Sequence, residues 1–267
     1  LVIEFGSAYC ADGMNAVDWA LANYPVDVKT IGIMGFAGDY GGDYAKGVKA
    51  AAEANGITVA WEYIVPSPEF DVAQAVGLMV TKPVDAYFPA IGPTQMAQVA
   101  GGAFQQGLTP LAMMAAPSFN DAFVREGFAL APLFTSGSMY LMAFVAPYEA
   151  ETAGHATMRA TFTAMGIDSA NTFLVAGWAS QHHLKGVLEA ANKGGDLTRA
   201  GIRRAAANVN VSSDGMMPQR ELGQNRADAE SFIAVPDGNI ASGVKLLAGN
   251  YVGPSAGGYD WESGPCS

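Results

Sequence analysis

Alternating strand-like and helix-like segments between residues 28 and 114 place the strongest limit on how this chain can fold. Four runs of β-branched and apolar residues are predicted to be buried strands. They cover residues 28–35, 57–64, 84–91 and 111–114. Apolar residues at helical spacing predict helices between them, over 43–55, 71–82 and 93–106. Strands that alternate with helices of this length form βαβ units on a parallel sheet, so the sequence predicts an α/β fold.

The rest of the chain is predicted to be mainly helical before it returns to strands. Helices are expected over 12–24, 147–166, 178–192 and 197–208, and strands over 172–176, 232–235 and 244–247. The turn Pro236-Asp237-Gly238-Asn239 separates the last two strands. The tail over 251–267 is rich in glycine, proline and serine and is expected to wrap the surface.

Charge and hydrophobicity exclude several classes of partner. Fourteen Lys and Arg stand against 25 Asp and Glu, which gives a formal net charge of −11. Nucleic acid is therefore not expected as a partner, because its binding depends on clustered cations that neutralise phosphates. No apolar run approaches the ~18 residues needed for a membrane-spanning helix. Half of the residues are hydrophobic, enough to bury a sizeable core.

The sequence contains no recognisable catalytic or cofactor motif. The glycine-rich segment 35–42 has neither the Gly-Lys-Ser/Thr of a phosphate-binding P-loop nor the G-x-G-x-x-G spacing of a dinucleotide site. His182 and His183 are neighbours on a predicted helix and point about 100° apart, so they cannot chelate one metal ion. His155 lies on another predicted helix. We therefore expect no enzyme activity, no cofactor and no metal.

Two aromatic residues and two cysteines each leave two interpretations open. Tyr40 follows a predicted strand at the sheet edge where ligands bind in α/β folds, yet it could equally be a packing residue. Trp178 could line a cleft or pack at the start of a helix. Cys10 and Cys266 could form one disulfide, which would imply an oxidising compartment, or remain unrelated thiols.

The order of several motifs resembles one protein family. Residues 28–34 followed by Asp39-Tyr40-Gly41 are similar to the strand and D-x-Y-G turn of type I periplasmic binding proteins of the branched-chain amino acid (Leu/Ile/Val) binding family. Further similar segments follow in the family's order over nearly the whole chain. They are Glu69-Phe70-Asp71, Lys82-Pro83-Val84-Asp85-Ala86, Ala103-Phe104-Gln105-Gln106-Gly107-Leu108 and Trp178-Ala179-Ser180.

The resemblance implies a periplasmic binding protein type I fold, in which two Rossmann-like lobes with parallel sheets are joined by a hinge. Residues 1–140 and 210–267 would form the second ligand-binding lobe, and residues 141–209 the returning part of the first lobe. The βα units that open the family's first lobe are not found, a difference of about 100 residues at ~30 residues per βαβ unit. The first lobe is therefore expected to be incomplete.

The resemblance also implies a set of ligand-binding residues. Tyr40 matches the turn tyrosine that packs on the ligand, and Ala116 falls where amino-acid binders place a glutamate for the ligand's ammonium group. The full set of candidates is Phe36, Asp39, Tyr40, Ala115, Ala116, Ser118 and Trp178. Because most of these side chains are apolar, the expected ligand is an apolar or aromatic carboxylate, with a branched-chain amino acid-like molecule as the other possibility.

The function implied is that of an extracytoplasmic receptor that binds a small organic ligand between its lobes by hinge closure. Its partner would be the membrane permease of an ABC transporter. Its location would be periplasmic or extracellular, with a cell-surface lipoprotein as one form. Two alternatives remain: the ligand-sensing effector domain of a transcription regulator, and an α/β enzyme without a role in transport.

Overall fold

A computed structural model describes residues 6–207, 209–217, 220–221 and 229–266. The strands are β1 (Thr30–Phe36), β2 (Thr58–Val65), β3 (Ala86–Ala90), β4 (Leu111–Ala115), β5 (Met139–Ala143), β6 (Asn210–Val211), β7 (Arg220–Glu221), β8 (Ser231–Pro236) and β9 (Val244–Tyr251). The helices are α1 (Tyr9–Asn23), α2 (Gly41–Ala54), α3 (Val72–Thr81), α4 (Pro93–Gln105), α5 (Ala131–Phe134), α6 (Ala153–Ala164), α7 (Thr172–Lys193), α8 (Arg199–Ala206) and α9 (Pro254–Gly257).

Seven strands form one sheet in the order β2-β1-β3-β4-β5-β8-β9. The pairs among β1 to β5 are parallel, whereas β5–β8 and β8–β9 are antiparallel. The predicted α/β fold with a parallel sheet is therefore confirmed. The antiparallel pair extends the sheet beyond β5, and β6 and β7 form a separate two-stranded ladder.

Side chains that alternate along β1 show how the sheet separates two layers of helices. Ile31 and Ile33 join a buried cluster with residues of α1 and α2. Met34 lies in a second cluster, with residues of α3 and α4 such as Met79 and Met96. Burial on both faces explains why these strands are nearly continuous apolar runs in the sequence.

The helix α7 corrects one sequence prediction. Residues 172–176 were expected to form a strand, but they are the first turns of α7. The side chain of Asn171 accepts a hydrogen bond from the backbone N–H of Leu174 (3.0 Å) and so caps the helix. The β-branched Thr172 and Val175 favoured a strand. Their strand propensity is outweighed by the helix cap at Asn171 and the amphipathic face that follows it.

The predicted helix over 147–166 begins later than expected. In the structure α6 begins at Ala153, because Thr152 is its N-cap and accepts a hydrogen bond from the N–H of His155 (3.3 Å). The helices α6 and α7 pack around their own buried cluster, which includes Val145, Met158 and Val175. The assignment of residues 141–209 to a separate lobe stays a prediction.

Polar side chains on α1 hold the C-terminal part of the chain. The buried Asp12 carboxylate accepts a hydrogen bond from the Ser231 hydroxyl at the start of β8 (2.6 Å). Asp18 accepts one from the backbone N–H of Ser255 in α9 (2.7 Å). These bonds tie two distant parts of the sequence to one helix.

The two cysteines form a disulfide in the structure. Cys10 lies at the start of α1 and Cys266 near the C-terminus, with their Cα atoms 6.0 Å apart. The bond closes a loop of 256 residues in sequence separation. A loop of this length strongly restricts the unfolded chain. Among the described helices, none is both long and apolar enough to cross a membrane.

The close contact between α1 and α2 should make one glycine irreplaceable. A Cβ atom at Gly47 would lie 1.9 Å from the carbonyl oxygen of Cys10, whereas one at Gly77 in α3 would meet nothing within 4 Å. We expect Gly47→Ala to lower the free energy of unfolding by about 3 kcal/mol, because the helices must separate. Gly77→Ala should be neutral or stabilise by up to about 1 kcal/mol. Urea denaturation followed by circular dichroism measures both; equal effects would contradict the packing described.

The buried Asp12 should make stability depend on pH. Burial raises the pKa of Asp12 to about 7, although hydrogen bonds from Ser231 and Ser7 oppose the shift. The folded protein therefore binds this proton more tightly than the unfolded chain, where the pKa is about 4. Stability from this group is fully present below about pH 4 and is lost as the pH rises through about 7.

Asp12→Asn should remove this dependence. The free energy of unfolding of the natural protein should fall between pH 4 and pH 7 by up to about 4 kcal/mol more than that of the variant. Asp27→Asn, at an exposed position, removes the same formal charge and serves as the control. Parallel pH profiles for the natural protein and Asp12→Asn would show that the carboxyl group stays ionised when folded.

Candidate functional site

Several predicted site residues meet at the carboxyl ends of the parallel strands. Phe36 ends β1, Tyr40 immediately precedes α2, and Ala115 ends β4. A short 3₁₀ turn, Ala116–Ser118, follows β4 directly. Loops at this edge are where open α/β sheets bind ligands.

The buried hydroxyl group of Ser118 joins the loops at this edge. Its oxygen accepts a hydrogen bond from the backbone N–H of Ile91 (3.1 Å). Its proton is within reach of the carbonyl oxygens of Ile91 (3.0 Å) and Pro89 (3.2 Å). The turn after β4 is thereby fixed to the end of β3.

Tyr40 is bonded to the same group. Its hydroxyl lies 3.1 Å from Ser118 Oγ and donates to the carbonyl oxygen of Ile91 (3.1 Å). Its ring packs against Tyr9, with centroids 4.9 Å apart. Burial raises the pKa of the Tyr40 phenol far above its ordinary value, so the group remains a protonated donor. The hydroxyl of Tyr40 is thus used within the protein, and contact between its ring and a ligand stays a prediction.

The other candidates near this edge differ in exposure. Phe36 is half-buried and contacts Phe70 edge-to-face, with centroids 5.6 Å apart. Ala115 and Ala116 are buried, whereas Asp39 is exposed. The structure therefore brings six of the seven candidates to the carboxyl ends of the strands. Their role in ligand binding stays a prediction.

Trp178 is placed elsewhere. It lies in α7 and contacts Phe162 edge-to-face, with centroids 5.5 Å apart. It packs against the cluster of α6 and α7, while Tyr40 packs against the cluster of α1 and α2. Among the described ring contacts, none joins Trp178 to Tyr40.

A small cleft that opens to solvent lies between the turn after β4 and the start of α7. Its lining residues come from three parts of the sequence. They are Ala116, Phe119, Asp121, Leu141, Asn171, Thr172 and Phe173. Of the candidates, Ala116 belongs to this lining. The cleft is the candidate functional site.

The walls of the cleft are mostly apolar. Phe119 and Leu141 are buried on one side, and Phe173 is half-exposed on the other. The carboxylate of Asp121 faces Arg125, whose guanidinium nitrogen lies 3.2 Å away. Asp121, Asn171 and Thr172 are the polar residues of the lining.

Sequence reasoning missed the residues that α7 contributes. Thr172 and Phe173 belong to the predicted strand 172–176, which Asn171 immediately precedes, so the sequence does not predict their place beside the sheet. Asn171 followed by Thr172 before an apolar stripe is a typical helix start, and that pattern could have located them. Phe119 lies beyond the predicted strand 111–114, and nothing in its sequence context indicates a cleft.

The buried histidine is accounted for by protein contacts. His155 Nδ1 lies 2.7 Å from the Thr152 hydroxyl, and Nε2 lies 3.1 Å from the carbonyl oxygen of Ala146. Burial lowers the pKa of His155 below its ordinary value. The ring thus joins the start of α6 to the segment that follows β5.

Comparisons with known proteins agree with this architecture. The profile of the periplasmic binding protein family matches residues 2–239, and the chain belongs to this family. The predicted family and its type I fold are thereby confirmed. A comparison with curated protein sequences gave no significant match.

Solved structures share the fold. A fatty acid ABC transporter substrate-binding protein from Thermomonospora curvata superposes with a TM-score of 0.85 at 23% identity, over 97% of this chain and 66% of that protein. A branched-chain amino acid ABC transporter protein from Thermus thermophilus with bound valine gives a TM-score of 0.72 at 10% identity, over 93% and 66%. A leucine-binding protein from Thermotoga maritima gives 0.69 at 16% identity, over 92% and 66%. The chain thus spans just under two thirds of the length of these proteins.

Removing the Ser118 hydroxyl should destabilise the edge of the sheet that carries the site. Ser118→Ala leaves the N–H of Ile91 without its acceptor in a buried position. We expect the free energy of unfolding to fall by about 1–3 kcal/mol. The exposed Ser67→Ala is the matched control and should change it by less than about 0.5 kcal/mol. Chemical denaturation measures both variants. An unchanged free energy of unfolding for Ser118→Ala would show that the hydrogen bonds of Ser118 contribute nothing to stability.

Proposed function

We propose that this chain is the ligand-binding part of an extracytoplasmic solute receptor for an ABC importer. The observation that carries the proposal is the apolar cleft at the carboxyl ends of the strands, in a chain of the periplasmic binding protein family. Ligand pockets are typically apolar clefts with few polar groups, at this edge of α/β sheets. Catalysis has no part in the proposal; the protein binds and releases its ligand unchanged.

Hinge closure is supported by the way the chain enters and leaves the sheet. The segment that contains α6 to α8 departs after Ala143 and returns at Phe232, and these two residues are paired between β5 and β8. Gly6 packs against Phe144 beside them, since a Cβ atom there would lie 2.9 Å from the carbonyl oxygen of Phe144. When two connecting segments run side by side, one lobe can rotate relative to the other through changes in the backbone dihedral angles of a few residues.

The favoured ligand is a small apolar or aromatic carboxylate. Phe119, Leu141 and Phe173 give the cleft an apolar wall. Ala116 offers no charge to an ammonium group, and burying an unpaired charge would cost several kcal/mol. One similar protein is named for fatty acids, which are apolar carboxylates, and another holds bound valine, an amino acid with an apolar side chain. A branched-chain amino acid-like ligand is the other candidate.

Export from the cytoplasm is supported by the disulfide. A bond between Cys10 and Cys266 persists in oxidising compartments and is rare in the cytosol. This observation favours a periplasmic or extracellular receptor, including a lipid-anchored form, over an intracellular effector domain. The partner we propose is the permease of an ABC transporter.

A thermal-shift screen tests the ligand class. Aliphatic and aromatic carboxylates should raise the melting temperature of the chain, because a ligand that binds only the folded state stabilises it. The corresponding α-amino acids should give smaller shifts. Larger shifts from the amino acids would overturn the favoured class, and no shift from any solute would count against the receptor itself.

Phe173→Ala tests whether ligands bind in this cleft. Removing the ring takes away an apolar wall, so the Kd of the best ligand from the screen should rise about tenfold. Phe104→Ala is the matched control, because Phe104 is similarly exposed on α4 and is not part of the cleft lining. Isothermal titration calorimetry measures both variants. Equal affinities for the two variants would place the binding site elsewhere.

A further inference from the structure

One polar group in the cleft has no hydrogen-bond partner among the residues that the structure describes. Thr172 is the first residue of α7 and is 9% exposed. Its hydroxyl oxygen is buried and makes no hydrogen bond with any described residue. Thr172 also lines the cleft. A buried hydroxyl without a partner lowers stability, so its position in the lining of this cleft requires an explanation.

The start of α7 adds further donors at the same place. The first amides of a helix have no acceptor within it. Asn171 provides acceptors for two of them: its side chain for the N–H of Leu174 (3.0 Å) and its carbonyl oxygen for the N–H of Val175 (3.1 Å). Asn171 provides no acceptor for the N–H groups of Thr172 and Phe173. A helix of 22 residues also directs the positive end of its dipole toward the cleft.

The surroundings fit an anion attached to an apolar body. Thr172 and Phe173 line the same cleft as the apolar side chains of Phe119 and Leu141. The charged group in the lining, Asp121, is paired with Arg125 (3.2 Å), so its repulsion of a second carboxylate is reduced. A ligand with one acidic end and one apolar end matches both surfaces.

The geometry points to Thr172 and the N-terminus of α7 as the subsite that binds the carboxylate of the ligand. The Thr172 hydroxyl donates a hydrogen bond to one carboxylate oxygen, and the first amides of α7 donate to the anion. This inference rests on the proposed function, because it names the part of the ligand that this side of the cleft binds. It places the acid-binding donors on α7, a helix that the sequence-derived site did not include beyond Trp178.

The inference predicts opposite effects on stability and on binding. Thr172→Val keeps the shape of the side chain and removes the unpartnered hydroxyl, so the melting temperature of the ligand-free protein should rise. The same change should weaken the binding of acids. A residue with a merely structural role would lower both or leave both unchanged.

Matched acids and amides provide the test. Phenylacetate and phenylacetamide, and octanoate and octanamide, are titrated by calorimetry into the whole chain at neutral pH and 0.15 M salt. The natural protein should bind each acid at least about tenfold more tightly than its amide. Thr172→Val should reduce this preference about fivefold to tenfold, and Thr172→Ser, which retains a hydroxyl, should restore it. Thr163→Val, at an exposed position of α6, is the control.

The outcomes separate this inference from the proposed function. If acids and amides bind equally to the natural protein, or if Thr172→Val retains the full preference, the carboxylate subsite is wrong while the receptor stands. If Thr172→Val does not raise the melting temperature, the hydroxyl has a structural partner and the inference is again overturned. If neither these probes nor any solute of the thermal-shift screen binds, the receptor function and the subsite fall together.

Discussion

The buried hydroxyl group of Ser118 is the contact on which the geometry of the candidate site depends. The strands β3 and β4 end in apolar residues that pack well but do not fix the loops that follow. Ser118 bonds to both the N–H and the carbonyl group of Ile91 and lies beside the hydroxyl of Tyr40. In a low-dielectric interior such bonds are strong and costly to leave unmade. One side chain thereby sets the position of Ala116 and of the cleft wall that follows it.

A second constraint comes from α1, whose side chains fix the position of the C-terminal part of the described chain. Asp12 holds the start of β8, Asp18 holds α9, and the disulfide joins Cys10 to the end of the described chain. The antiparallel strands at the sheet edge therefore return to the same helix that begins the described part. Because β8 is fixed at both β5 and α1, the chain that leaves after β5 comes back to a defined point. Fixed passages of this kind are what the proposed hinge closure requires.

The sequence was sufficient to predict β1 to β4 and the helices between them, because strands buried on both faces appear as unbroken apolar runs. It did not predict β5, which joins these strands to β8 and β9. It also located Phe36 and Tyr40 at the edge where ligands bind, since strand ends follow directly from strand positions. The cleft could not be predicted in the same way. Ala116 and Thr172 are distant in sequence, and only tertiary packing brings them together. Trp178 lies in α7 with its ring against Phe162, and its contact with a ligand stays a prediction.

The hydroxyl group in the cleft differs from other buried hydroxyl groups in its hydrogen bonding. Buried hydroxyls elsewhere in the chain have partners: Ser118 bonds to Ile91, Ser231 to Asp12, and Ser242 to Glu149. The hydroxyl of Thr172 has none among the described residues, and it lies where a solute can enter. Trp19 Nε1 and Trp178 Nε1 are also buried without a described partner, but neither residue belongs to the cleft lining, whereas Thr172 does. Binding an acceptor there recovers the lost hydrogen bond, so the same group that weakens the empty state strengthens the bound one.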